Sequence, residues 1–251
     1  MTDGICGARP WSRVEHRKFL CPAPGYDRHF AITEHFGFEL IPIAMHDDGP
    51  DMDAVEELVK DPDVKGIWCV PKYQNPTGIV FSDEVVRRFA HLKCAAEDFR
   101  IFWDNAYCVH CFDGECAQIP DIIGECERAG NPNLVYEFCS TSKVTFPGSG
   151  ISAVASSPAN LIDIRSFMSF ATICPDKLNQ LRHARFFKNS AGLRSHMKKH
   201  AKILKPKFDA VYKILREELG GTGTAEWTEP SGGYFISFDC LCGEAREVVR
   251  M

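Results

Sequence analysis

The chain lacks any apolar run long enough to cross a bilayer. Stretches such as Gly66-Ile67-Trp68-Cys69-Val70 fall far short of the ~18 residues a spanning helix needs. It also lacks a basic excess: 29 Lys and Arg stand against 34 Asp and Glu, a formal net charge of −5. The counterion release that drives binding to nucleic acid or anionic lipid therefore has little to draw on. Twelve cysteines in 251 residues are too sparse, at about 5%, for the disulfide scaffold of a short secreted chain, and the first residues show no secretory pattern. The expectation is reduced thiols in a cytoplasmic chain, with neither membrane nor nucleic acid as partner. Internal repeats and low-complexity tracts are absent as well. What is present is the ordinary usage of a soluble globular chain, 45% hydrophobic and 25% charged. At roughly 150 residues per domain, the length allows one large domain with a small companion.

Short apolar runs of strand length alternate with amphipathic stretches of helix length. Residues 38–43, 66–70, 100–103, 134–138 and 151–155 read as buried strands. Residues 27–36, 52–60, 83–98 and 120–128 read as helices; the third carries Val85, Phe89, Leu92 and Ala96 at helical spacing, with Ser82 placed as its N-cap. This alternation predicts an α/β fold, a mainly parallel sheet with helices on both faces. From Pro158 to about Leu219 the pattern turns helical and basic, with breaks expected at Pro175 and Pro206 and a stop at Gly220-Gly221. Residues 224–239 read as strand-like through Pro230-Ser231-Gly232-Gly233-Tyr234-Phe235. The predicted organisation is a large sheet domain over 20–175, a linking helix over 176–204 and the start of a smaller α+β domain over 205–251.

Polar clusters gather where open α/β sheets place ligand sites, just beyond strand ends. Pro71-Lys72-Tyr73-Gln74-Asn75-Pro76-Thr77-Gly78 follows one predicted strand, Asp104-Asn105-Ala106-Tyr107 the next, and Ser140-Thr141-Ser142-Lys143 a third; Pro22-Ala23-Pro24-Gly25-Tyr26-Asp27-Arg28-His29 lies upstream. Singly, each has a plain reading: a turn, a helix cap, a surface loop. Their joint order and spacing are not predicted by those readings. Cys108-Val109-His110-Cys111 with Cys116 has zinc-like spacing, but no second pair follows at the distance structural zinc requires. The basic run from Arg182 to Lys207 reads as a solvated helix face.

The order Asn-Pro-x-Gly, Asp-x-x-Tyr, Ser-x-Ser-Lys resembles the fold-type-I pyridoxal-phosphate aminotransferases. Pro-Gly-Tyr-Asp-Arg-His-Phe with Ser-Thr-Ser-Lys is similar to the aspartate aminotransferase type Ic subgroup in particular. The likeness runs from about Trp11 to Asp239. It implies pyridoxal 5'-phosphate as cofactor, an amino acid of aspartate type and a 2-oxo acid as substrates, and a homodimer in the full-length form. It also implies roles by matched position. Lys143 would form a Schiff base with the cofactor and shuttle protons, as lysines with a freed neutral amine do. Asp104 would face the ring nitrogen and keep it protonated, so that the ring can absorb electrons from Cα. Asn75 and Tyr107 would hydrogen-bond the ring's phenolic oxygen, Tyr26 would stack on the ring face, and Ser140 and Ser142 would reach the phosphate.

The chain departs from the pattern at three places. Positions 150 and 151, where family members often carry a phosphate-binding arginine, are Gly150 and Ile151. This leaves Ser140, Ser142, Ser149 and backbone N–H groups for the phosphate. No Gly/Ser-rich phosphate turn precedes Tyr26. The arginine for the substrate carboxylate should lie beyond Gly-Gly-Tyr-Phe, where Arg246 and Arg250 sit too close. The expectation is a fragment missing both ends. The alternatives are a β-lyase or decarboxylase on the same cofactor, or an inactive truncated product.

Overall fold

The computed structural model describes residues 10–243 and 245–250. One sheet contains β1 (Lys18–Ala23), β2 (Glu39–His46), β3 (Gly49–Pro50), β4 (Val64–Cys69), β5 (Arg100–Asp104), β6 (Val135–Ser140) and β7 (Ser152–Ala155), in the order β3-β2-β1-β4-β5-β6-β7. The pairings β2–β1, β1–β4, β4–β5 and β5–β6 are parallel; β3 and β7 close the two edges antiparallel. The mainly parallel α/β arrangement is therefore present.

The period of two along each strand builds both faces. Leu20, Ile67, Ile101, Trp103 and Val135 bury on one face against α2 (Met52–Leu58), α3 (Asp83–Ala90) and α4 (Ile122–Arg128). Trp103 is 1% exposed and meets Phe81 and Phe89 edge-on, with centroids 5.7 and 5.9 Å away. The intervening Phe19, Cys21, Phe102 and Tyr136 turn the other way, onto Trp11 and Phe38, with Phe30 of α1 (Asp27–His35) and Ile164 of α5 (Pro158–Ala171) packed alongside. Burial on both faces is why these strands read as nearly continuous apolar runs.

The chain continues through α6 (Lys177–Phe187) and α7 (Ser190–Glu218), a two-stranded antiparallel sheet of β8 (Ala225–Trp227) and β9 (Phe238–Cys240), and α8 (Ala245–Arg250). Ser82 caps α3 as expected, its hydroxyl accepting from Val85 N at 3.2 Å.

Four local expectations are corrected. The central strand β1 was hidden by Pro22; its ladder to β4 ends at Leu20–Ile67, while its ladder to β2 runs on through Pro22–Ile43 and Ala23–Ala44. Helix α3 stops at Ala90 rather than near Asp98, because Asn131 Nδ2 donates to the Ala90 and Leu92 carbonyls and takes over the helix end. Pro206 lies inside α7 without breaking it: Met197 and Ala201 before it and Phe208 after it are all buried, and packing holds both halves in line. Only residues 225–227 and 238–240 of the strand-like tail are strands; between them the chain turns back onto the sheet domain.

Cys111 and Cys116 are bonded, against the expectation of reduced thiols throughout. The turn through Gly114 brings their Cα atoms to 4.9 Å, within disulfide reach. The other described cysteines are free. No helix among the described residues is long and apolar enough to cross a membrane.

Candidate active site

The end of β5 places Asp104 at the rim of the sheet, its side chain 28% exposed. His29 Nε2 lies 3.0 Å from Asp104 Oδ2; a carboxylate only accepts, so the imidazole donates. The same imidazole is buried and stacks on Trp68 of β4, with centroids 4.2 Å apart and planes 7° apart. Trp68 Nε1 donates to Thr33 Oγ1 at 2.8 Å, and Thr33 Oγ1 donates to the His29 carbonyl at 2.6 Å. One turn of α1 and one strand thus immobilise the ring that holds the carboxylate. His29 was not singled out from the sequence; its only signal was its place in the Pro-Gly-Tyr-Asp-Arg-His-Phe stretch.

Tyr26 is the N-cap residue of α1, half-buried, with its ring edge-on to His29 at 5.1 Å. Tyr107, one turn beyond Asp104, is 3% exposed and shares a side-chain hydrogen bond with Asn75. Burial pushes the Tyr107 phenol far above its usual range, with Asp104, Tyr26 and Tyr234 adding to the effect and Asn75 opposing it. Tyr107 is therefore a neutral hydroxyl at any ordinary pH. The Asn75 turn is tied down by Gln74, whose Nε2 donates to the Pro24 carbonyl at 2.9 Å while its Oε1 accepts from Thr77 Oγ1 at 2.6 Å.

Lys143 lies in the turn after β6, its Nζ 4.9 Å from the centroid of the Tyr107 ring. Three histidines grip this turn. His183 Nε2 bridges the Thr141 and Thr145 hydroxyls at 3.0 and 2.9 Å, His196 donates to the Val144 carbonyl at 2.8 Å, and His110 donates to the Lys143 carbonyl at 3.1 Å. None was given this role from the sequence, where His110 stood only in the zinc-like cysteine cluster, because their partners are backbone atoms and hydroxyls remote along the chain. The Cys108–Cys116 cluster is likewise no metal centre: His110 is turned to Lys143 and Cys111 is bonded to Cys116.

Ser140 Oγ accepts from Ser142 N at 3.4 Å, and Ser142 is exposed. A Cβ at Gly150 would stand 3.1 Å from Ser142 N. A side chain at that position would require the serine loop to give by a few tenths of an ångström. A cavity of about 570 Å³ opens beside this turn, with Ser149, Arg182 and Phe186 in its lining.

A second lysine, Lys72, is half-buried near Cys108 and Glu137; burial pulls its pKa down against the pull of those two groups. The segment from Pro230 to Phe235 closes the site from the far side. Phe112 N donates to the Ser231 carbonyl at 3.0 Å, and Gly233 N to the His110 carbonyl at 2.7 Å. Tyr234 and Phe235 reach the Tyr107 ring at 6.1 and 5.9 Å. Asp104, Tyr107, Tyr26, Asn75 and Lys143 therefore gather around one locus, with the Ser140 and Ser142 loop beside it. Arg28 is exposed beside Asp27, at 3.9 Å.

The fold is that of the aminotransferases. The chain superimposes on an aspartate transaminase from Corynebacterium glutamicum with a TM-score of 0.91 and 50% identity, over 93% of this chain and 55% of that one. On the multiple substrate aminotransferase of Thermococcus profundus the TM-score is 0.76 at 25% identity, over 93% and 57%. Residues 2–251 match the family described as aspartate amino-transferase. The chain is also 50% identical over 243 residues to the curated aspartate aminotransferase of C. glutamicum, which is 97% of this chain and 56% of that protein. It belongs to the aspartate aminotransferase family, and it spans little more than half the length of these relatives.

Proposed function

We propose that this chain carries the cofactor-binding part of a pyridoxal 5'-phosphate-dependent aminotransferase that moves an amino group from an aspartate-like amino acid to a 2-oxo acid, with Lys143 as the attachment residue. One observation carries the reading: Asp104 is fixed by His29, while the Lys143 amine stands over the Tyr107 ring in the same locus. The residues fit the group. When bound, the cofactor supplies a ring that takes up the electron pair left as the substrate Cα loses its proton. Asp104 accepts a hydrogen bond from the ring nitrogen, and the stacked His29 keeps the carboxylate aimed. Tyr107 and Asn75 bind the phenolic oxygen, Tyr26 covers the ring face, and Ser140 and Ser142 bind phosphate oxygens. Lys143 Nζ takes the Cα proton and returns it on the other side of the transfer. Residues 20–175 supply these groups, while 205–251 supply the covering Tyr234 and Phe235. Exposed Phe167 and Phe170 on α5 support a homodimer in the full-length protein.

Purified chain incubated with pyridoxal phosphate and then borohydride should yield a pyridoxyl adduct on Lys143 by mass spectrometry, and Lys143→Ala should yield none there. An adduct on Lys72 instead would overturn the assignment. An assay with aspartate and 2-oxoglutarate separates amino transfer, which converts 2-oxoglutarate to glutamate, from β-elimination, which releases ammonia, and decarboxylation, which releases carbon dioxide; the same cofactor contacts would serve all three.

A further inference from the structure

We propose that His110 and Tyr234 are positioning residues that together clasp the backbone of Lys143 and thereby aim its amine; the inference rests on reading Lys143 as the cofactor lysine. The Lys143 carbonyl has two lone pairs, and both are used: His110 Nε2–H donates at 3.1 Å and the Tyr234 hydroxyl at 3.0 Å. The two side-chain donors come from distant points, 33 residues upstream and 91 downstream.

The chemistry of His110 suits this task and little else in the site. A carbonyl only accepts, so the neutral ring carries its hydrogen on Nε2. Nδ1 is then a bare lone pair, buried and without a partner. Burial also pulls the imidazole pKa down, helped by His200 on α7 and the Lys143 side chain, while hydrogen bonding to the Lys143 and Tyr107 backbone opposes it; the Tyr107 and Tyr234 rings face it as well. His110 thus stays a neutral donor and adds no fixed positive charge beside the lysine amine.

Both donors are themselves anchored. His110 N donates to the Tyr107 carbonyl at 3.0 Å, and its own carbonyl accepts from Gly233 N at 2.7 Å, which sets Tyr234 next to it. The need is geometric. Lysine has a flexible four-carbon stem with large rotamer freedom, and Lys143 roots it in a turn where strand pairing has ended at Ser140–Ser152. An amine that must meet a reacting carbon within a fraction of an ångström, where a misplacement of about 1 Å can cost ~100-fold, needs its root held.

The test uses the cofactor-free chain with lysine labelled at 13Cε, the Lys143 signal being assigned through Lys143→Met. Because Lys143 Nζ lies over the Tyr107 ring, its Cε resonance carries a ring-current shift. His110→Phe and Tyr234→Phe should each move that signal part-way toward free lysine, and the double variant the whole way. His110→Gln, which keeps an N–H donor, should leave it near its original place. In parallel, each single variant should slow formation of the borohydride-trapped adduct at Lys143 about tenfold, as expected for one hydrogen bond of ~1–1.5 kcal/mol. An unmoved signal and an unchanged adduct rate in a folded double variant would overturn the clasp. Should the double variant fail to fold, the contrast of His110→Phe with His110→Gln decides: equal behaviour overturns the proposal. Signal shifts as expected, with no adduct on Lys143 in the unaltered chain, would uphold the clasp and overturn the cofactor reading.

Discussion

His29 Nε2 and Asp104 Oδ2 stand 3.0 Å apart, although 75 residues separate them in sequence. The contact joins the first turn of a surface helix to the end of a central strand, and its imidazole is locked by stacking on Trp68. His29→Phe keeps the ring and the stack but removes the donor to Asp104. Since a hydrogen bond to a charged group is worth about 1.5–3 kcal/mol, the amino transfer proposed for the full-length protein should fall roughly 10- to 100-fold. Adduct formation at Lys143 should persist. Steady-state kinetics beside mass spectrometry checks both halves, and Asp104→Ala should be the more severe variant.

Gly232 admits no side chain. A Cβ there would lie 2.3 Å from the His110 carbonyl oxygen and 2.7 Å from the Tyr73 ring, where real Cβ atoms essentially never sit. Gly232→Ala should therefore break the bridge between Cys111 and Gly232 and lift Tyr234 from Lys143. The expected result is a loss of about 1–3 kcal/mol in denaturant unfolding, with faster proteolysis near residue 230. Gly221→Ala, at a turn with open space around it, should leave the Lys143 adduct rate unchanged.

Stability should rise with pH across the histidine range. An unfolded His110 binds its proton near 6.5, whereas the folded imidazole holds it only at lower pH, because burial opposes the charge. Between those two values the unfolded chain carries more protons, so unfolding is favoured as pH falls and stability is flat above about pH 7.5. His200 shifts in the same direction and adds to the slope. Melting temperatures measured from pH 5 to 8 should show this slope, and His110→Gln should reduce it to the part that His200 carries.

Pro206 removes one backbone donor from the middle of α7, yet its side chain is exposed. Pro206→Ala restores the N–H and relieves the clash with the preceding turn. Stability should increase by about 1–3 kcal/mol, read as a higher denaturant midpoint, with no change in adduct formation at Lys143.

Much of this molecule could be read from its residues alone. Alternating strand and helix periods specify a two-faced parallel sheet, since central strands such as Arg100–Asp104 must be apolar on both sides. Polar residues at strand ends mark the locus, because the end of a strand is where side chains leave the core. Local chemistry could not reveal the supports. Pro22 disguised a central strand because the end of its ladder is a property of the neighbouring strand. The supporting roles of His29, His110 and Tyr234 remained hidden because their partners, Asp104 and the Lys143 carbonyl, lie 75, 33 and 91 residues away. A hydrogen bond depends on distance in space, to which sequence separation is blind. Residue identity determined which groups can do chemistry here; only the tertiary structure decided which of them are held still.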